Sequence, residues 1–249
     1  MKRSQFAGLL FCAVSVFFLS SCGGDETKES TTKDSTTAAD NNTAAATPET
    51  AASTIITTPQ GMMVVTHKVA NFAKWIASYE GHDSMRMANG IHNYVIGRGL
   101  QDSNMVLVAV KVDDMTKAKA FAKDPSLKKA MQKGGVTGAP TISFITATWQ
   151  DTAHLGTQLR SRTTFDVKDW AAWEKTFMEG KQERMDNGIT DRSIGHDADN
   201  DKKVALVTAV MDTAKAFAYY KSDALKKRRA AGGVTGEPKR FLFNVVKRY

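Results

Sequence analysis

Gly134-Gly135-Val136-Thr137-Gly138-Ala139-Pro140 returns as Gly232-Gly233-Val234-Thr235-Gly236-Glu237-Pro238, 98 positions later. Self-similarity at a fixed spacing marks a duplicated structural unit. Working outward, the same spacing pairs Val69 with Val167, Trp75 with Trp173 and Arg86 with Arg184. It also pairs Asn89-Gly90-Ile91 with Asn187-Gly188-Ile189, Ile96-Gly97 with Ile194-Gly195, and Leu127-Lys128-Lys129 with Leu225-Lys226-Lys227. Only Ala118-Lys119-Ala120-Phe121 departs. It matches Ala214-Lys215-Ala216-Phe217 and asks for a small compensating shift.

Each copy reads alike. A β-branched-rich strand, Met62 to Lys68 or Gln158 to Phe165, is followed by an amphipathic helix with aromatics at helical spacing: Phe72, Trp75, Ile76 and Tyr79, or Trp170, Trp173 and Phe177. Asn71 and Asp169 fit N-caps, and Asn89-Gly90 and Asn187-Gly188 fit helix stops. A second strand spans Ile91 to Arg98 or Ile189 to His196. A third spans Met105 to Val112 or Val204 to Met211 and is apolar enough to be buried on both faces. A second helix holds Phe121, Leu127 and Met131, or Phe217, Tyr220 and Leu225. The Gly-Gly-Val-Thr-Gly-x-Pro turn then leads to the last strand, Thr141 to Thr148 or Lys239 to Val246.

The order β-α-β-β-α-β is the ferredoxin-like unit, whose sheet has one face covered by helices and one bare. The expected fold class is therefore α+β. Two tandem ferredoxin-like repeats, residues 59–150 and 155–249, bury their bare faces against each other as a pseudo-dimeric α/β barrel. Over residues 61 to 249 the chain resembles the dimeric α/β-barrel superfamily, with its antibiotic-biosynthesis-monooxygenase-like domains, and more closely uncharacterised bacterial proteins carrying this Gly-Val-x-Gly-x-Pro turn. The resemblance implies fold more than activity, because that superfamily holds oxygenases, haem-degrading enzymes, isomerases and proteins of no known activity.

The N-terminus reads as an address. Lys2 and Arg3 precede an apolar run from Gly8 to Ser20, and Leu19-Ser20-Ser21-Cys22 resembles the bacterial lipobox. That resemblance implies a signal peptide over residues 1–21, cleavage before Cys22, acylation of Cys22 and a lipid-anchored place in the cell envelope, at the outer membrane. Residues 22–58 read as a tether. Asp25, Glu26, Glu29, Asp34, Asp40 and Glu49 outweigh Lys28 and Lys33, and large apolar residues are scarce before Ile55. The whole chain carries +8, so the part beyond the tether is strongly basic. Its runs Lys128-Lys129, Lys226-Lys227-Arg228-Arg229 and Lys239-Arg240 read as a solvated face able to touch anionic headgroups or envelope polysaccharide. A nucleic-acid partner does not suit an exported lipoprotein, and the fused repeats point to a monomer.

With 249 residues and 42% hydrophobic content the chain can build a sizeable core. Its two cysteines exclude a disulfide scaffold. Cys12 leaves with the leader, so thiol catalysis and thiolate metal sites are excluded as well. His67, His82, His92, His154 and His196 form no metal-binding motif, and His67 reads as a half-buried strand position. No metal or cofactor is expected. The glycine-rich segments lack the phosphate-loop lysine and follow a helix instead of preceding one, so they read as helix caps and turns. Alternation places His92, Tyr94, Ile96 and Arg98 on one strand face, and Thr190, Arg192, Ile194 and His196 on another. Arg160, Arg162 and Thr164 share a face too, while Asn93 and Asp191 fall opposite the rows. Rows pointing into the barrel would make a cationic cavity for a small anionic or enolate-like ligand; rows at a sheet edge would reach water. Two functional readings stand open. One is an anchored binding or structural lipoprotein. The other is a cofactor-independent monooxygenase-like enzyme using the cavity. The polar loop from Gln150 to Gly156 reads as tolerant of insertion.

Overall fold

Runs of β-branched residues become strands, and the strands close on themselves. The computed structural model describes residues 53–249; the leader, Cys22 and the tether as far as Ala52 lie outside the described residues. The first repeat contributes β2 (Gln60–Val69), β3 (Ile91–Gly99), β4 (Met105–Val112) and β5 (Val136–Asp151). The second contributes β6 (Leu159–Val167), β7 (Ile189–Asp197), β8 (Asn200–Val210) and β9 (Val234–Arg248). Within the repeats the strand orders are β5-β2-β4-β3 and β9-β6-β8-β7, the same ferredoxin-like order twice. β3 pairs with β9, and β5 pairs with β7, so the eight strands form a closed ring. Closure leaves no long unpaired edge. A short β1 (Ile55–Ile56), inside the stretch read as tether, adds to the end of β5 through Ile55↔Asp151.

The duplication is in perfect register. β2 faces β4 with Met62↔Lys111, and β6 faces β8 with Arg160↔Ala209, each pair 98 positions from its twin. The helices obey the same spacing: Asp114 and Asp212 are equivalent N-caps, and Ala118 and Ala216 are both 0% exposed. The shift expected around Ala118 to Phe121 does not exist, and Phe121 is equivalent to Tyr219.

Each expected helix is two. In the first repeat these are α1 (Phe72–Gly81), α2 (Asp83–Met87), α3 (Met115–Phe121) and α4 (Pro125–Lys133). In the second they are α5 (Trp170–Glu179), α6 (Lys181–Asp186), α7 (Thr213–Tyr220) and α8 (Asp223–Ala231). Pro125 explains one break: it forces Asp124 into an extended conformation (ψ 127°), and Asp124 then caps α4 by accepting from the Ser126 amide. Asn71 and Asp169 are N-caps, accepting from the amides of Lys74 and Ala172.

The glycine-rich segment does more than turn the chain. Gly135 (φ 83°) leaves α4, and Gly138 (φ 76°) opens a bulge inside β5, where pairing jumps from Lys68↔Thr137 to Thr66↔Thr141. The bulge also accommodates Pro140, which has no amide hydrogen for the ladder. Apolar side chains split between two layers. Val69, Trp75, Ile91, Ile96 and Phe121 pack between sheet and helices in the first repeat. The ring interior is shared: Met62, Ile145 and Ala147 meet Ala205, while Val95 and Leu107 meet Phe243 and Val245.

Candidate functional site

Among the described residues this layering leaves a cavity inside the ring and one between helices and sheet in each repeat, beside wider clefts at the surface. The ring cavity, about 100 Å³, has apolar walls that include Leu107, Phe243 and Val245. Arg160, Arg162, Arg192 and Arg248 also line it, with Asp151 as the one carboxylate in the lining. Arg160 and Arg162 sit two apart on β6 and so share its inner face. Arg160 is 3% exposed. Its Nη1 donates to the carbonyls of Thr157 (2.9 Å) and Leu159 (3.0 Å), while its Nη2 is buried with no partner. Burial, then Arg248 and Arg192, lower Arg160 to about 10. Burial also lowers Arg162, which forms no ion pair among the described residues. Arg192 is held by Asp151 at 3.1 Å and by the Ala153 carbonyl at 2.6 Å.

Of the residues read from the strand rows, Tyr94, Arg160, Arg162 and Arg192 meet at this cavity; His92, Arg98 and His196 do not. For Arg98 and His196 the cause is a β-bulge in each second strand. Pairing slips between Asn93 and Val95, and between Asp191 and Ser193, so Tyr94 and Val95 both line the cavity and every later residue changes side. Arg98 therefore lies over the ring of Phe72 at 4.3 Å, and His196 meets Trp170 edge-on at 4.8 Å, both on the helix side. His92 pairs at the surface with Asp113 at 2.8 Å. Gln150, Asp151 and Arg248 were missed. The first two belong to β5 rather than to a tolerant loop, and Arg248 lies beyond the expected end of the last strand.

Asn93 and Asp191 face the helices, each against an arginine. Arg184 holds Asp191 through Nε at 2.8 Å and Nη2 at 2.6 Å, with both side chains almost fully buried. In the first repeat Arg86 donates to Asn93 and Asp83 instead.

The two helix–sheet cavities, about 80 Å³ each, occupy equivalent places. In the first repeat His67 is 4% exposed, not half-buried; neither ring nitrogen has a partner, and burial lowers it to about 4. It packs against Trp75 at 5.3 Å. In the second repeat Arg228, Arg229 and Arg240 line the cavity, so the basic runs are not wholly a solvated face: Lys226, Lys227 and Lys239 are exposed and the arginines turn inward. Among the described residues no three His, Cys, Asp or Glu side chains gather as a metal site.

No family model and no curated protein matches the sequence. Solved structures do match the fold. An anthrone oxidase-like protein superposes with TM-score 0.52 at 13% identity, covering 78% of this chain and 95% of that one. A candidate monooxygenase from Fusobacterium nucleatum gives TM-score 0.51 at 14% identity, covering 76% and 93%. A candidate chlorite dismutase gives 0.51 at 15% identity, covering 76% and 96%. The protein has the dimeric α/β-barrel fold, with both ferredoxin-like halves in one chain.

Proposed function

We propose that the protein is an envelope lipoprotein, tied to a bilayer through acylated Cys22, whose ring cavity binds a small carboxylate with an apolar tail. The observation that carries the ligand is the pair Arg160 and Arg162, which lines a largely apolar cavity without an ion pair among the described residues, the one carboxylate of the lining, Asp151, being held by Arg192. Isolated buried charge is unfavourable unless something compensates it. A guanidinium matches a carboxylate in bidentate geometry. The walls formed by Leu107, Phe243 and Val245 suit a hydrocarbon tail. The cofactor-independent oxygenase reading shares this fold, but the histidines expected to serve it, His92 and His196, lie outside the cavity. Binding is therefore the better supported reading.

Hexanoate titrated calorimetrically into the full chain in mild detergent should bind saturably, and Arg162→Val should weaken it roughly tenfold or more. Absence of saturable binding, or equal binding by the variant, would refute the cavity reading. For the anchor, Cys22→Ala should accumulate unprocessed precursor. Normal processing of that variant, with extraction without detergent, would refute the lipoprotein reading.

A further inference from the structure

The uniform 98-residue register makes each repeat a control for the other. Position by position, the helix–sheet cavity of the first repeat is lined by Met63, Val65, Val110, Phe121, Met131 and Ile142. The equivalents in the second repeat are Ser161, Thr163, Thr208, Tyr219, Arg229 and Arg240. Every one of these exchanges moves from apolar toward polar or charged. The first repeat shows that this fold completes its core at these positions with hydrocarbon alone. The polar set is therefore not required by the architecture, and burying it is unfavourable without partners.

Partners within the protein are incomplete. The Tyr220 hydroxyl and the Nε of Arg240 are buried and unpartnered, and the buried Tyr219 hydroxyl has beside it only the Glu183 carboxylate, which Arg228 already holds. Tyr219 is 4% exposed. The Arg240 guanidinium lies over the Tyr220 ring at 3.5 Å, which fixes its plane, and it has no ion pair among the described residues. Two other arginines of the cavity are already engaged: Arg184 by Asp191, and Arg228 by Glu183. Among the described residues Arg229 and Arg240 form no ion pair, although the charge of Glu237 acts on Arg229 from outside, and no carboxylate side chain lines the cavity.

We propose that the helix–sheet cavity of the second repeat is a separate binding site for a compact oxyanion, a carboxylate or phosphate group, anchored by Arg240 and Arg229 and oriented by the hydroxyls of Tyr219 and Tyr220. Its volume, about 80 Å³, suits a small headgroup. Its chemistry differs from that of the ring cavity, where apolar walls surround the arginines. The site does not depend on the ring-cavity proposal.

The test titrates the full chain in mild detergent with inorganic phosphate and, in a separate arm, with malonate, each against chloride at equal ionic strength. The two arms distinguish a phosphate from a carboxylate headgroup. At least one probe should bind saturably. Arg240→Ile, which installs the first repeat's own residue, should weaken binding roughly tenfold or more, and Tyr219→Phe should weaken it severalfold by removing one hydroxyl. Arg162→Val, in the ring cavity, should leave binding unchanged. Tyr219→Phe matches Phe121 of the first repeat and removes a single atom, so it reads the site even if Arg240→Ile folds poorly. The proposal is overturned if neither probe saturates, if Arg240→Ile and Tyr219→Phe both bind as the wild type does, or if Arg162→Val removes the binding.

Discussion

Replacing Arg160 by Met and Arg162 by Val gives the second repeat the residues found at Met62 and Val64 in the first. The doubly substituted protein should be more stable and should no longer bind. Arg160 is lowered from 12.5 to about 10, chiefly by burial. At ~1.4 kcal/mol per unit this is roughly 3 kcal/mol of unfavourable free energy for the charged form. Against it stand the two hydrogen bonds to Thr157 and Leu159. Each contributes about 1 kcal/mol net. Removing Arg162's buried charge and adding apolar contact both favour the variant, so a net gain of about 1–3 kcal/mol is expected, in line with exchanges of buried charges for hydrocarbon. For a fold of this size that raises the unfolding midpoint by about 2–10 °C. A base with a lowered pKa is charged in both states until pH nears about 10, so the gap between variant and wild type should be flat across neutral pH and narrow only in strong alkali. Thermal unfolding with and without hexanoate is the assay: the wild-type midpoint should rise with ligand and the variant's should not. A variant less stable than wild type by more than about 1 kcal/mol, or one still raised by hexanoate, would mean that these arginines hold the barrel together and do not await a ligand.

Other consequences are equally direct. His67 is neutral in the fold down to about 4, whereas the unfolded chain protonates near 6.5. Stability is thus complete above about pH 6.5 and falls by roughly 3 kcal/mol as pH drops toward 4; His67→Phe, copying Phe165, should flatten that limb in urea unfolding at several pH values. Asp191→Asn leaves the buried Arg184 without its carboxylate and should cost about 3–5 kcal/mol. Adding Lys181→Asp, which copies Asp83 of the first repeat, should restore part of that loss in the same assay, and no restoration would contradict the equivalence of the two arginine sites. Each repeat expressed alone, as residues 61–150 or 155–249, exposes its ring face and should associate into dimers by sedimentation; a sharply melting monomer would contradict the shared interior.

Strands, helix starts and the duplication were legible because they rest on local periodicity and on matched residues at one spacing. The inner face of the second strands was not. Strict alternation grouped Tyr94 with Arg98 and Arg192 with His196, and a one-residue bulge undoes alternation without a sequence signature of its own. Asp151 and Arg248 escaped because strand pairing between the repeats carries β5 and β9 past the point where their own repeats need them. The polar cavity of the second repeat was present in the sequence as a series of exchanges at a spacing of 98. The spurious shift near Ala118 hid the pairing of Phe121 with Tyr219, and three of its arginines read simply as surface charge.

Ring closure through β3–β9 and β5–β7 within one polypeptide has an evolutionary consequence. In an assembly of two identical chains, every substitution appears twice about the symmetry axis, so an arginine suited to one cavity is imposed on its counterpart. Covalent fusion breaks that constraint. Met62 and Val64 are hydrocarbon while their twins are Arg160 and Arg162, and the cavity around His67 is mostly apolar while its twin holds more arginines. The linker from Asp151 to Leu159 thereby makes the two halves separately heritable, free to specialise while still depending on each other to fold.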